Sequence, residues 1–239
     1  VALELEKEKR LRGIVFLGGR FIHSEEKLEK LNVPFIFATI GVTIPDRIGK
    51  VEFSNIAVDD RLESKKMTEY LLSLGHRKIA IIAERPEEPI GRLRVDGYRE
   101  AFAEQEIPVQ EDMICYVQDD MDYYSMANGY VTAKKLLETG RKVTAIYATS
   151  DSLAIGACRA VLEAGKRIPE DISVAGYDGI EMGEYYNPKL TTIKQPVEEM
   201  AKKTIRLLLD VIGKRQEHQN LVFPAELMIR ESTGKCPES

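Results

Sequence analysis

Residues 143–178 read VTAIYATSDSLAIGACRAVLEAGKRIPEDISVAGYD, and this stretch decides the fold. Val143–Ala148 is a short apolar run rich in β-branched and aromatic residues, which reads as a strand. Thr149, Ser150 and Asp151 follow, and each can cap a helix by accepting backbone N–H bonds. Leu153, Ala154, Ala157, Val161 and Leu162 then recur at helical spacing. Gly165, with Lys166 and Arg167, suits a helix end, where cations meet the negative pole of the dipole. Pro169-Glu170-Asp171 is a turn, Ile172–Ala175 is the next buried strand, and Gly176-Tyr177-Asp178-Gly179 leaves it. Parallel strands joined by a helix leave polar loops at their carboxyl ends, where open α/β sheets bind ligands. Ser150, Asp151 and Asp178 therefore belong to one candidate polar rim.

The same alternation runs along the chain. Leu3–Arg12 reads as a charged helix, Gly13–Gly18 as a buried strand, and Glu25–Leu31 as a short helix capped by Ser24. Pro34–Thr39 is a second strand, 44–49 a loop, and Ile56–Val58 a short strand before a helix from Asp59/Asp60 to Leu74. Lys78–Ala83 is a strand, 84–91 an acidic loop, Arg92–Gln105 a helix and Met113–Val117 a strand. A helix over Tyr123–Glu138 precedes the deciding unit. After it, Glu184–Pro188 is irregular, Leu190–Ile193 is extended, and a helix opens at Gln195-Pro196 and runs to about Ile212. Leu221–Phe223 and Glu226–Ile229 read as a closing pair of strands around Pro224. The pattern predicts parallel sheets covered on both faces. The late helix suggests that the chain returns to an earlier lobe.

Composition bounds the function. The chain has 239 residues, 44% of them hydrophobic and 31% charged, an ordinary globular balance. A net charge of −5 and a pI near 5.5 argue against this stretch gripping nucleic acid by itself, which needs a basic face. No apolar run is long enough to span a bilayer. Cys115, Cys158 and Cys236 are odd in number and far apart, which fits reduced thiols in a cytoplasmic setting. His23, His76 and His218 show no ligand spacing, so no metal is expected.

No catalytic motif stands out. Gly18-Gly19 follows a strand, but no third glycine opens a helix, and the phosphate-loop, nucleophile-elbow and HExxH patterns are absent, so no cofactor is expected. Asp119, Asp120 and Asp122 lack the calcium-loop pattern and read as a solvated loop. Asp178 can serve as a general base or as an acceptor for ligand hydroxyls. With no histidine or cysteine partner in a motif, binding is the better reading.

Three stretches matter together: Val58-Asp59-Asp60 with Leu74-Gly75-His76-Arg77-Lys78-Ile79-Ala80; Arg94-Val95-Asp96-Gly97-Tyr98; and Ser150-Asp151, Ile168-Pro169-Glu170-Asp171-Ile172-Ser173-Val174 and Gly176-Tyr177-Asp178, continuing to Gln195-Pro196. In this order and spacing the chain resembles the effector-binding domain of the lac repressor/galactose repressor family of bacterial transcription regulators. The resemblance runs from about residue 13 to the tail, where Arg230-Glu231-Ser232 also fits. It implies a periplasmic-binding-protein-like α/β fold of type I: two doubly wound parallel-sheet lobes with crossovers, ligand in the cleft, and a homodimer formed through the lobes. The family binds operator DNA through a headpiece that this chain lacks. The family's first strand–helix–strand is also missing, so the N-terminal lobe is expected to be incomplete. The expected boundaries are 1–57 with 196–219 for that lobe, and 58–195 with 220–234 for the other.

Carried over residue by residue, Arg94 matches an arginine that reaches ligand hydroxyl or carboxylate groups with paired donors. Asp178 matches an aspartate that accepts from sugar hydroxyls, and Tyr124 an aromatic that stacks on the ligand's flat face. Ser150 and Gln195 match further cleft positions. Thr39 stands where many members have aspartate, and Ile90 where many have Ser or Thr, so the effector cannot be copied from any one member. The bland readings stand beside these: Asp151 as a helix cap, Asp59 as a cap or crossover residue, His76 and Arg77 as structural or exposed, Tyr177 as packing. The expected effector is a small sugar-like molecule, with no membrane partner. A transport receptor of the same fold and an α/β enzyme remain the alternatives.

Overall fold

The computed structural model describes residues 1–18, 25–39, 41, 47–48 and 51–237. The expected cap Ser24, His23 and part of the 44–49 loop lie outside them. In order the elements are α1 (Ala2–Lys9), β1 (Ile14–Leu17), α2 (Glu25–Leu28), β2 (Phe35–Ala38), β3 (Arg47–Ile48), β4 (Val51–Glu52), β5 (Ser54–Val58), α3 (Asp60–Ser73) and β6 (Ile79–Ala83). There follow α4 (Pro89–Glu104), β7 (Ile114–Tyr116), α5 (Met126–Glu138), β8 (Ala145–Ala148), α6 (Asp151–Glu163) and β9 (Ser173–Asp178). The chain closes with α7 (Glu181–Tyr185), β10 (Thr191–Lys194), α8 (Val197–Ile212), β11 (Asn220–Phe223) and β12 (Glu226–Met228).

The chain divides into two compact units: residues 1–59 with 196–224, and residues 60–195 with 225–239. The first holds a parallel sheet in the order β1-β2-β5-β11. Its core is aromatic: Phe35 stacks on Phe53 at 5.7 Å between centroids, and Phe37 meets Phe53 edge-on at 5.2 Å. Helix α8 covers this sheet, and Gly13 lets it close, because a Cβ there would come within 2.9 Å of Leu208 and Ile212.

The second unit holds a six-stranded sheet in the order β12-β10-β9-β8-β6-β7, parallel except for edge strand β12. Its strands are buried on both faces, which is why they read as unbroken apolar runs. Side chains alternate. Ala80, Ile82, Ile146 and Val174 pack in the core that includes α5 and α6, while Ile79, Ile81, Tyr147 and Tyr177 pack in the core that includes α3 and α4. The chain runs from β6 outward to β7, then back to β8 on the other side of β6. The β6/β8 boundary is thus the point where strand order reverses, the place where such sheets leave a crevice.

Several expectations change. Helix α4 begins at Pro89 rather than Arg92, because proline fits the first helical position, so part of the expected acidic loop is helix. Helix α5 begins at Met126 rather than Tyr123, because Ser125 accepts from the Asn128 N–H and caps it there. Glu181–Tyr185 forms the short helix α7 where irregular chain was expected. The two closing strands do not pair with each other: β11 joins β5 in the first unit and β12 joins β10 in the second. Residues 220–223 therefore group with the first unit and not, as the expected boundary had it, with the second.

His76 and Arg77 are structural. His76 is fully buried, with Nε2 3.0 Å from the Gly234 carbonyl and Nδ1 3.0 Å from the Thr144 hydroxyl. The carbonyl can only accept, so Nε2 carries the proton and Nδ1 accepts from Thr144. Arg77 closes the end of α3 through the Leu72 carbonyl at 2.9 Å.

Each helix pair on the second sheet is closed by glycine. A Cβ on Gly97 of α4 would lie 2.1 Å from the Arg61 carbonyl oxygen of α3. On the other face, a Cβ on Gly156 of α6 would lie 2.0 Å from the Met126 carbonyl oxygen, and one on Gly129 of α5 would lie 2.2 Å from the Leu153 carbonyl oxygen. The opposing atoms are backbone and cannot rotate away. Gly156→Ala is therefore expected to cost about 2–3 kcal/mol through overpacking, read as a lower urea midpoint. An unchanged midpoint would mean that the two helices can separate freely.

Candidate functional site

The second unit begins its first segment at Asp60 and ends it at Gln195. Each of these end residues holds one member of a charged pair. Asp60 opens α3 and is buried. Its Oδ1 accepts from Arg94 Nε at 2.9 Å and lies 2.8 Å from Arg94 Nη2. Arg94 projects from α4, is itself buried, and donates through Nη1 to the Thr149 carbonyl after β8. Its guanidinium lies over the Tyr177 ring, 3.7 Å from the centroid. Burial works against the charged guanidinium, but Asp60, Tyr177, Asp178 and Glu84 together hold its pKa well above the ordinary value.

Asp178 is the last residue of β9 and has a left-handed φ of 118°, unusual for a residue other than glycine. Its Oδ1 accepts from Gln195 Nε2 at 2.9 Å and lies 3.9 Å from Arg94 Nη2. The side chain keeps 33% of its surface exposed. Burial pushes its carboxyl up to about 6, against Arg94 and Gln195, which hold it down. The turn that carries Asp178 is pinned from below. Asp151 Oδ2 accepts from the Gly179 and Ile180 N–H groups, both at 2.8 Å, and its Oδ1 accepts from Thr192 at 2.6 Å. Burial pushes the Asp151 carboxyl up to about 7, while these donors oppose the shift. Gly176 leaves room for it, since a Cβ there would sit 2.2 Å from Asp151 Oδ1.

The expected site residues sort by this geometry. Arg94, Asp178 and Gln195 are joined. Tyr124 precedes α5 and is 45% exposed, and its hydroxyl is raised first by burial and next by the charge of Glu84. Ser150, not Asp151, caps α6: its hydroxyl accepts from the Leu153 N–H at 3.2 Å and is buried. Thr39 belongs to the first unit, with φ 62° and its hydroxyl donating to the Ala38 carbonyl at 2.7 Å. Ile90 sits in the first turn of α4. Of the acidic loop, Asp119 pairs with Arg85 at 2.6 Å and Asp122 accepts from the Tyr124 N–H at 3.2 Å. Among the described residues no cluster of His, Cys, Asp and Glu could hold a metal, and no helix is long and apolar enough to cross a membrane.

Sequence reading missed Asp60 as the partner of Arg94. An aspartate opening a helix signals a cap, and nothing local reveals an arginine 34 positions away. It also missed Glu84, which follows β6 and is fully buried.

Two α/β units sharing one chain through repeated crossings, with a charged pair at the carboxyl ends of parallel strands, define a ligand-binding protein of the periplasmic type. Residues 68–233 match the model of the periplasmic-binding-protein-like domain. The HTH-type transcriptional regulator MalR of Clostridium butyricum is 33% identical over 227 residues, covering 95% of this chain and 66% of that protein. CelR of Thermobifida fusca is 32% identical, covering 87% of this chain and 58% of the relative. The HTH-type transcriptional repressor PurR of Klebsiella pneumoniae is 30% identical, covering 98% of this chain and 67% of that protein. The chain thus spans about two thirds or less of the first curated relatives it matches. Among solved structures, a CelR–cellobiose complex matches with TM-score 0.84 and 29% identity, over 97% of this chain and 68% of that one. A LacI-family regulator from Enterococcus faecium with bound ribose matches with TM-score 0.82 and 31% identity, over 98% and 83%. The chain belongs to the periplasmic-binding-protein-like family, and within it to the LacI-type transcriptional regulators.

The Asp60–Arg94 pair is desolvated, so removing one member strands the other. Asp60→Asn is expected to lower unfolding free energy by about 3 kcal/mol. Arg159→Ala, which removes an exposed, solvent-screened pair with Glu163, should leave the unfolding free energy nearly unchanged. Denaturant unfolding of both variants checks this, and equal losses would contradict the assignment of the buried pair.

Proposed function

We propose that this chain is the effector-sensing and dimerisation part of a LacI-type transcription regulator, and that its effector is a sugar or sugar derivative. The observation that carries the reading is the Arg94–Asp178–Gln195 constellation at the strand ends. A guanidinium N–H donor beside a carboxylate acceptor suits a ligand whose hydroxyls both accept and donate. Tyr124 adds an exposed aromatic edge for a sugar's apolar face. The part of Ser150 is to fix the start of α6. Cellobiose and ribose in the matched regulator structures support a carbohydrate here.

In this reading the domain binds its effector without turning it over, since nothing in the constellation pairs a nucleophile with a base. The regulator acts as a homodimer in the cytoplasm, and its operator is bound by a helix-turn-helix headpiece outside this chain. The effector regulates by binding the operator-competent and operator-incompetent states with different affinity. A transport receptor of the same fold is less well supported, because the named relatives are regulators.

Calorimetric titration with cellobiose, maltose and ribose tests the site. Asp178→Ala is expected to weaken the bound sugar at least about tenfold, as loss of a hydrogen bond to a charged group does. Affinity should also depend on pH with a definite sign. Ligand hydroxyls donate best to ionised Asp178, whose carboxyl is raised to about 6. Binding is therefore full above pH 7 and weakens by up to about tenfold as pH falls to 5. Undiminished binding by Asp178→Ala, with a flat pH profile, would remove Asp178 from the site.

A further inference from the structure

One charged group at the point where strand order reverses is not used by this reading. Glu84 follows the last residue of β6, directly beside β8, and is fully buried. Its Oε2 accepts from the Thr149 hydroxyl at 3.1 Å, and the Tyr124 hydroxyl also bonds to its carboxylate, so its donors are hydroxyls. The backbone makes room for it: a Cβ on Gly91, in the first turn of α4, would lie 2.6 Å from Glu84 Oε2 and 2.8 Å from its Cβ. A buried carboxylate met only by neutral hydroxyl donors is costly, and such groups cluster where a ligand or a charge is handled. Its field reaches the other site residues, bearing on Arg94, Tyr124 and Asp178 alike.

The donors of Arg94 point to what that field is for. Two-pronged recognition of a phosphate or carboxylate needs two parallel N–H bonds from one edge of the fork. Here Nε and one N–H of Nη2 already serve Asp60, and one N–H of Nη1 serves the Thr149 carbonyl, so two of the five donors remain and the Asp60 carboxylate already balances the charge. The arginine is thus neutralised inside the protein before any ligand arrives. Around it stand three carboxylates, Asp60, Asp178 and Glu84, against one guanidinium.

Resting on the carbohydrate-sensing reading above, we infer that this site selects uncharged sugars and rejects phosphorylated or carboxylated ones, and that Glu84 is the residue that sets this charge preference. It acts through its charge in a poorly solvated setting, where like charges repel far more strongly than in water. Asp178 and Gln195 then read the hydroxyl pattern, and Glu84 excludes the anion.

The test is calorimetry on the full chain with neutral sugars, each matched to a charged counterpart: ribose with ribose 5-phosphate, glucose with glucose 6-phosphate, cellobiose with cellobionate. The variant is Glu84→Gln, which keeps the volume and the acceptor for Thr149, with its thermal midpoint recorded as a check on folding. The wild type is expected to bind the neutral member of a pair at least about a hundredfold tighter, and Glu84→Gln to narrow that gap about tenfold by admitting the anion. A charged sugar bound as tightly as its neutral partner, or a gap unchanged in a folded Glu84→Gln, overturns the inference and leaves carbohydrate sensing standing. Failure of every sugar to bind, neutral or charged, overturns the sensing reading and this inference with it. If Glu84→Gln does not fold, Glu84→Asp, which keeps the charge, is expected to preserve the gap, and a gap lost in that variant counts against a role for charge.

Discussion

The ion pair between Asp60 and Arg94 is the contact on which the strand-end face of the second unit depends. It is out of water, so each member needs the other, and together they tie four separate elements. Asp60 starts α3, Arg94 lies within α4, and the guanidinium reaches across to the Thr149 carbonyl beyond β8 while resting on Tyr177 of β9. Long, flexible side chains seldom hold position unaided. Here the packing and four neighbours remove that freedom, and the one edge of Arg94 turned toward Asp178 is held where it lies.

A second constraint works on Asp178. A residue with a side chain at φ 118° is held there against its own preference, and the surroundings have to supply the restraint. Asp151 does so by taking the next two N–H groups, and Thr192 steadies Asp151 from the neighbouring strand. Gly176 is part of the same arrangement, because only a residue without a Cβ lets the Asp151 carboxylate close on β9. One buried acid thus holds another, half-buried one at the end of its strand. The glycines between paired helices play the equivalent part for the layers, letting backbone meet backbone over the sheet.

Much of this was legible in the sequence, and the reasons are physical. Residues 143–178 carry a complete strand–helix–strand, with the apolar runs, the Ser150 cap and the turn residues all in agreement. Arg94, Asp178 and Gln195 were readable through the ordered set of motifs, and the structure brings them together. The pairing of β11 and β12 was not readable. Two short extended runs around a proline look like a hairpin, and only the open edges of two different sheets decide otherwise. Asp60 and Glu84 were hidden for a similar reason. Each looks locally like a cap or a loop acid, and its meaning lies in a partner far along the chain. Helix starts shifted by up to a turn where a proline or serine a few residues away offered a better first position.

The interleaving of the two units bears on how they are made. The first unit's sheet is completed by β11, and α8 covers it, yet 136 residues of the other unit, 60–195, lie between β5 and that helix. The second unit in turn waits for β12 and for the stretch that gives Ser232 to Val174 and Gly234 to His76. During synthesis neither half can finish before residues near 230 have emerged, although domains commonly fold one after another from the amino end. Until then the nascent chain carries two unfinished sheet edges at once, the kind of surface that invites chaperone capture or pairing with a neighbour on the polysome.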